Sequence, residues 1–407
     1  MSARRIVLGV SGGIAAYKAC EVVRRLKDHG HDVLVVPTDN ALKFVGATTW
    51  EALSGHPVST TVFEGVDEVA HVRIGTTADL VAVLPATADF LSRAATGRAD
   101  DLLTNVLLTA TCTQAMFPAM HTLMWQHAAT QANVATLRER GVFVFDPAEG
   151  RLTGPDTGPG RLPEPAEIVE VIRGLLAEPE MAKAGAQRDL AGLRIAISTG
   201  GSREPLDPVR YLGNASSGLM GIALARVAAL RGAEVTLVAG HIDAELPSSV
   251  TTRRVSTTGD LAEVMNEIAA EHDVIIMAAA PADFTPTTVS DTKLKKSGDA
   301  GMTLDLTQTT DVLAGLARDR VDGQTIVGFA AETASDPDEL LNLGRAKLAR
   351  KGADLLVLND VSSGKVFGEA DNAVTIVDAD HIVDQVAASK TVVAHHILNA
   401  IAAARRA

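Results

Sequence analysis

Twice along the chain a short β-branched run breaks at a glycine-containing turn and continues as a helical pattern. The first opening is RIVLGVSGGIAAYKA, ending at Ala19; the second, LRIAISTGGSREPLDPVRYLGNASSGLMG, runs from Leu193 to Gly221. Each sets backbone N–H groups beside a helix amino terminus, where partial positive charge favours an anion such as phosphate. Two such openings half a chain apart predict two separate α/β units that handle phosphorylated molecules.

A chain of 407 residues suits two domains better than one core, and its 46% hydrophobic content is enough for two packed sheets. Ala, Val and Leu supply most of that content, which fits buried parallel strands covered by helices on both faces. Aromatic residues are only 3% and the net charge is −13, so a nucleic-acid partner is not expected. In so acidic a chain, phosphate binding has to come from local N–H nests and a few placed cations. Cys20 and Cys112 stand in helix-like contexts and read as small buried hydrophobes, with no disulfide framework. The start MSARRIVLGVSGG enters a strand directly, and no apolar run reaches membrane length. A cytoplasmic protein is expected, with no membrane partner.

In the first unit, strands are predicted at Ile6–Val10, Val33–Val36, Leu80–Leu84 and Phe143–Phe145. Helices are predicted over Ile14–His29, around Asp89–Ala95 and over Leu102–Ala110. The Gly- and Pro-dense stretch Glu149–Pro165 is read as irregular, a tether or an active-site flap. Ile168–Ala177 closes the unit as a helix, and Met181–Gly192 reads as the connector, giving domains 1–190 and 191–407. The second unit is read as strands Leu193–Ser198, Val235–Val238, Val274–Met277, Met302–Leu306, Ile326–Phe329, Leu355–Leu358 and a final Ala373–Val377. Its helices are Leu219–Arg231, Leu261–Ala270, Val312–Arg318, Pro337–Arg350 and a terminal one from Val392.

GVSGGIAAYK lacks the GxGxxG spacing, so a dinucleotide site is weakly supported. Ser11, Gly12 and Ile14 suit a single phosphate or an isoalloxazine edge, and Thr38 adds a hydroxyl at another helix start. This is the pattern of a mononucleotide site such as FMN, with ordinary strand-to-helix turns as the alternative. In the second unit, Arg203, Arg210 and Asn214 stand before a helix capped by the Ser216/Ser217 region, donors that suit an acyl phosphate or a phosphorylated small molecule. Asp283 follows a buried strand, where open α/β sheets bind ligands. Lys293, Lys295 and Lys296 gather positive charge in one loop, which on residues alone is equally a solvated face. Lys347 and Lys351 lie one helical turn apart and repel unless an anion sits between them; surface lysines beside acidic neighbours are the alternative.

GVSGGIAAYK, AHVRI (Ala70–Ile74), LPATADFLSRAATGRADDLLTN (Leu84–Asn105) and FPAMHTLMW (Phe117–Trp125) together resemble the homo-oligomeric flavin-containing cysteine decarboxylases. The second half resembles phosphopantothenate–cysteine ligase. The whole chain is similar to the bifunctional decarboxylase/ligase family of bacterial coenzyme A synthesis.

That resemblance implies two Rossmann-like three-layer domains, a flavodoxin-like flavoprotein domain followed by a CTP-dependent ligase domain. It implies that the second unit joins L-cysteine to 4′-phosphopantothenate through an acyl-cytidylate. The first unit then decarboxylates the product by oxidising its thiol to a thioaldehyde, so that the carbanion left by carbon dioxide delocalises into sulfur. For FMN it implies Ser11, Gly12, Ile14, Thr38, Phe44, Pro85, Ala86 and Thr87, with His71 as catalytic base. For CTP it implies Met277, Asp283, Lys293, Thr310, Asp311, Val312, Leu313, Phe329, Lys347 and Lys351, with Lys293 stabilising charge at the α-phosphate. Asn214 is assigned to the acyl-cytidylate and Arg210 to the cysteine-dependent step. Mg2+ or Mn2+ would bridge the triphosphate near Asp283. The implied assembly is a dodecamer of flavoprotein trimers joined by ligase dimers.

Two departures stand out. His121 follows FPAM where the family carries Asn, and the flap lacks the cysteine that many relatives use as proton donor, leaving Asp156, Thr157 or water for that role. These departures sustain a rival in which the flavoprotein half is a non-catalytic oligomerising module beside a working ligase. A two-domain nicotinamide dehydrogenase is a second rival, opposed by the absent GxGxxG and the KLKK loop.

Overall fold

The computed structural model describes residues 3–63, 69–152, 156–295, 302–333, 336–360 and 371–406. Two compact units divide between Asp189 and Leu190.

The first unit is built on five parallel strands: β1 (Arg5–Val10), β2 (Asp32–Pro37), β3 (Leu80–Ala86), β4 (Thr113–Pro118) and β5 (Phe143–Val144), in the order β2-β1-β3-β4-β5. β3 is buried at every position, as a strand covered on both faces must be. The helix Ala16–Asp28 buries Ala19, Val22, Val23 and Leu26, the three-and-four spacing of an amphipathic helix. The chain leaves β1 for β2 on one side and returns to β3 on the other, so the loops after β1 and β3 emerge side by side.

β4 escaped the sequence reading because TQAMFP opens with two polar, half-buried residues. The helices Ala47–Ser54, Ala70–Thr77 and Ala128–Glu139 escaped it too. Cys20 is helical, but Cys112 lies in the bend before β4, and both thiols are half-buried rather than sealed in the core. The Gly/Pro stretch is not irregular: β6 (Ala148–Arg151) and β7 (Thr157–Arg161) pair as an antiparallel hairpin. Its glycines let the ribbon lie flat on a neighbouring segment. Met120 N donates to Gly160 O at 2.9 Å, and a Cβ on Gly160 would stand 2.2 Å from Met120 O. Much of the expected connector is likewise helical, Pro179–Gln187, with proline at its first turn.

The second unit adds β8 (Arg194–Thr199), β9 (Glu204–Pro205), β10 (Tyr211–Leu212), β11 (Glu234–Ala239), β12 (Thr251–Arg254), β13 (Val274–Met277), β14 (Phe284–Pro286) and β15 (Leu306–Gln308). β16 (Thr325–Glu332), β17 (Leu355–Asp360), β18 (Asp371–Val377) and β19 (Ile382–Ser389) complete it. Eight of these form one sheet, β12-β11-β8-β13-β16-β17-β18-β19, parallel up to β17 and antiparallel beyond it. The expected final strand is therefore followed by another. β19 alternates between exposed and half-buried residues at the sheet edge and carries no apolar run to announce it. Of the expected strand Met302–Leu306 only Leu306 is extended, at the start of β15.

Helices cover both faces. Thr258–Ala269 and Val312–Arg318 share a core with Ala196, Val238, Ile275 and Ile326. Leu219–Leu230 packs on β8 and β11 and against Lys390–Ala404. Here too the strand order reverses, between β8 and β13.

Candidate active sites

In open α/β sheets ligands bind outside the carboxyl ends of the strands where the order reverses. The first unit has a cleft of about 390 Å3 at that place. Ser11, Gly12 and Ile14 line it from the loop after β1, Thr38 and Asn40 from the loop after β2, and Thr87 from the loop after β3. Met120, after β4, closes it. The helix Ala16–Asp28 starts beside this loop with no side-chain cap, whereas Thr87 caps the helix Ala88–Thr96 by accepting from Phe90 N. Gly12 permits a close approach, since a Cβ there would stand 2.4 Å from Asn40 Cβ.

Several expected contacts are placed otherwise. The Ser11 hydroxyl is buried and donates to Pro85 O at 2.7 Å, while Thr87 N donates to it at 3.0 Å, so it ties the two loops together. Pro85 and Ala86 belong to β3 and lie outside the cleft lining, as does the half-exposed Phe44. His71 sits on the helix Ala70–Thr77 and is also outside that lining; its buried Nδ1 has no hydrogen-bond partner among the described residues. His121 caps the helix Thr122–Gln126: Nδ1 accepts from Leu123 N at 3.2 Å, so Nε2 carries the proton and faces Asp156 at 3.3 Å. Asp156 stands just before β7, which brings the flap to His121.

The second unit holds a cleft of about 560 Å3. It gathers Asn214, Met277 and Asp283 with the turn Thr310–Leu313, and across from them Phe329, Lys347 and Lys351. Backbone and side-chain latches hold its rim. Ala280 N donates to Gly200 O at 2.8 Å, and Asn214 Nδ2 donates to Pro281 O at 2.8 Å. Ala282 N donates to Ser202 Oγ at 2.8 Å, while the buried Glu204 accepts from both Thr258 N and Thr258 Oγ1 at 2.8 Å. The helix Leu219–Leu230 opens into this cleft at Gly218, not at a serine: Gly218 has a left-handed φ of 69° and the helix has no side-chain cap.

The lysine pair needs no external anion to coexist. Lys347 Nζ meets Glu332 at 2.8 Å, and Lys351 Nζ pairs with Asp311, which also caps the helix Val312–Arg318. Burial opposes ionisation of Asp311, but the Lys351 ammonium and the Ala314 N–H outweigh it and hold the carboxyl below the usual range. Lys293 and Arg210 stand outside the cleft lining. Arg210 pairs with Asp207, and its guanidinium also donates to Leu294 O at 2.6 Å, beside Lys293. Lys296 lies outside the described residues. Among the described residues no three His, Cys, Asp or Glu side chains gather as a metal cluster, so Asp283 is a single candidate ligand.

Sequence reasoning missed Asn359, Asn372 and Lys390 in the same cleft. Lys390 is 8% exposed and begins a helix whose other buried residues, Thr391 and His395 apart, are apolar, a contrast that was available as a signal. No helix among the described residues is long and apolar enough to cross a membrane.

A pair of doubly wound units, each with a cleft at its switch point, defines a two-domain α/β protein with a small-molecule cleft in each half. Residues 1–177 match the family described as Flavoprotein, and residues 190–404 match the DNA/pantothenate metabolism flavoprotein C-terminal domain. The chain is 52% identical to the Coenzyme A biosynthesis bifunctional protein CoaBC of Mycolicibacterium smegmatis, over 99% of this chain and 98% of the relative. It is 39% identical to the protein of the same name from Vibrio vulnificus, over 92% of each. A crystal structure of the C-terminal domain of a CoaBC protein aligns with 34% identity and a TM-score of 0.44, covering 53% of this chain and 97% of that one. The chain belongs to the CoaBC family of bifunctional coenzyme A biosynthesis enzymes.

Proposed function

We propose that residues 190–407 join L-cysteine to 4′-phosphopantothenate with CTP, and that residues 1–189 decarboxylate the product to 4′-phosphopantetheine. The observation that carries the ligase reading is the single cleft uniting Asn214, Asp283, Thr310–Leu313, Phe329, Lys347 and Lys351. Similarity to full-length bifunctional relatives over both halves supports pairing it with a decarboxylase, and nothing in those comparisons favours a non-catalytic first half.

In the ligase half, the turn Thr310–Leu313 and the two lysines hold the nucleotide, with Met277 and Phe329 flanking the base. A substrate carboxylate oxygen attacks the α-phosphorus and pyrophosphate departs, giving an acyl-cytidylate held by Asn214. Lys293 stabilises the charge that develops there. The cysteine amine then attacks the acyl carbon, the C–O bond to phosphate breaks, CMP leaves and the amine proton passes to solvent. Arg210 serves this second step. Asp283 would be the protein neighbour of a divalent cation, Mg2+ or Mn2+, that supplies positive charge for the triphosphate, in keeping with the sparse acidic donor set among the described residues.

In the flavoprotein half, the uncapped helix start at Ala16, with Gly12, Ile14, Thr38 and Thr87, fits the phosphate end of FMN. FMN, when bound, supplies the reversible two-electron chemistry that makes the carboxyl group labile. His71 moves the proton; its buried Nδ1, which has no partner among the described residues, is a position that a bound group can fill. His121 holds the substrate carboxylate, and Asp156, already facing His121, stands in for the absent flap cysteine. The enzyme works in the cytoplasm as a dodecamer, which light scattering tests directly.

The deciding experiment follows pyrophosphate and carbon dioxide release by the full chain. His71→Asn should abolish decarboxylation and spare ligation, and Lys293→Gln should do the reverse. Loss of both activities in each variant would overturn the division of labour.

A further inference from the structure

Asp207 lies on the loop between β9 and β10, outside the nucleotide cleft, and its side chain is fully buried. Burial of a carboxylate is unfavourable unless donors surround it. Here they do: Val209 N donates at 2.8 Å, Arg210 N at 2.9 Å and Arg210 Nε at 2.9 Å, with a further bond from Arg210 Nη2. The remaining donor comes from far away in sequence, Leu294 N at 3.1 Å. Arg210 reaches the same residue by donating to Leu294 O. One carboxylate thus joins the loop of Arg210 to the backbone next to Lys293. These are the two cations given to successive steps of the ligase reaction. The hydrogen bonds and the neighbouring guanidinium hold the Asp207 carboxyl far below the usual carboxylate range, so the latch stays charged at any working pH.

We propose that Asp207 is a positioning residue for both ligase steps, its carboxylate fixing Arg210 and the Lys293-bearing loop in one register. This rests on the ligase reading above, since it acts through the two residues that reading employs. Asp207 touches neither nucleotide nor acyl group. It removes freedom from two long side chains that would otherwise have to be ordered during each turnover. Losing it misplaces both cations together while leaving the nucleotide contacts of Thr310–Leu313, Lys347 and Lys351 intact.

The test uses the full chain with CTP, 4′-phosphopantothenate and L-cysteine. Pyrophosphate release reports the first step, and CMP release from acyl-cytidylate accumulated without cysteine reports the second. Asp207→Asn should lower the rate of each step by about 10²-fold, the scale of a small misplacement of reacting groups. The KM for CTP should stay within about threefold, as expected when uniform binding is untouched. Leu294→Pro removes the distant N–H, and its fixed φ also constrains the preceding Lys293, so it should slow pyrophosphate release more than CMP release. If Asp207→Asn fails to fold, as judged by lost CTP binding, Leu294→Pro alone decides, and a parental rate of pyrophosphate release in it overturns the proposal. Parental rates in a folded Asp207→Asn chain overturn it as well. Lys293→Gln separates the two claims. If that variant still releases pyrophosphate normally, the ligase reading of the loop fails. If it is inactive while Asp207→Asn is normal, only the positioning role fails.

Discussion

Gly12→Ala is the sharpest probe of the flavin cleft. The added Cβ would stand 2.4 Å from Asn40 Cβ and 3.0 Å from the Asn40 carbonyl carbon. Carbon atoms rest about 3.5–4.0 Å apart, so the loops after β1 and β2 must separate by roughly 1 Å. Overpacking of that kind costs about 1–3 kcal/mol. For a domain of this size each kcal/mol lowers Tm by about 2–4 °C, so a loss of roughly 2–12 °C is expected in thermal denaturation followed by circular dichroism. The same displacement moves the phosphate-facing backbone, and flavin retained after ultrafiltration should fall by about 5- to 150-fold in affinity. Gly13→Ala is the internal control, because its nearest new contact is 3.3 Å from Thr87 Cγ2, a side chain able to shift. Equal behaviour of the two variants, or parental flavin retention in Gly12→Ala, would refute the close-approach reasoning.

Acid stability should depend on Asp146. Burial alone would raise its pKa, but Arg138 and Arg188, which both contact its carboxylate, hold it below the usual range. The unfolded chain therefore takes up the proton first, and the stabilisation present at neutral pH is lost as pH falls below about 4. Asp146→Asn should lower Tm at pH 7 and bring the two melting curves together in acid; a constant Tm difference from pH 7 to 3 would contradict this. Thr258→Val deprives the buried Glu204 of its hydroxyl donor at 2.8 Å and should cost about 1–3 kcal/mol, read from urea unfolding of the full chain. An unchanged midpoint would show that Glu204 finds another donor.

What the sequence made legible was governed by burial on both faces. β3, β8 and β13 are short apolar runs whose pattern has one good solution, and each was found within two residues at either end. Elements with mixed environments were lost: β4 begins polar, β19 is an edge, and the β6–β7 hairpin is built on glycines that normally signal disorder in the pattern. The cleft of the second unit was largely readable, because its residues sit at the ends of those well-marked strands and at the helix start Asp311. Side-chain commitments were not. Nothing in the local sequence shows that Ser11 spends its hydroxyl on Pro85, or that Glu332 and Asp311 answer the two lysines, since each partner arrives from another strand or loop.

Those lysine pairings bear on how selective an empty pocket can be. With carboxylates of the same chain already seated on Lys347 and Lys351, neither ammonium group is open to a passing anion without an exchange of partners. An anion that reaches both lysines has to displace two resident carboxylates at once. Discrimination is thereby set before any chemistry starts, by competition from within the fold.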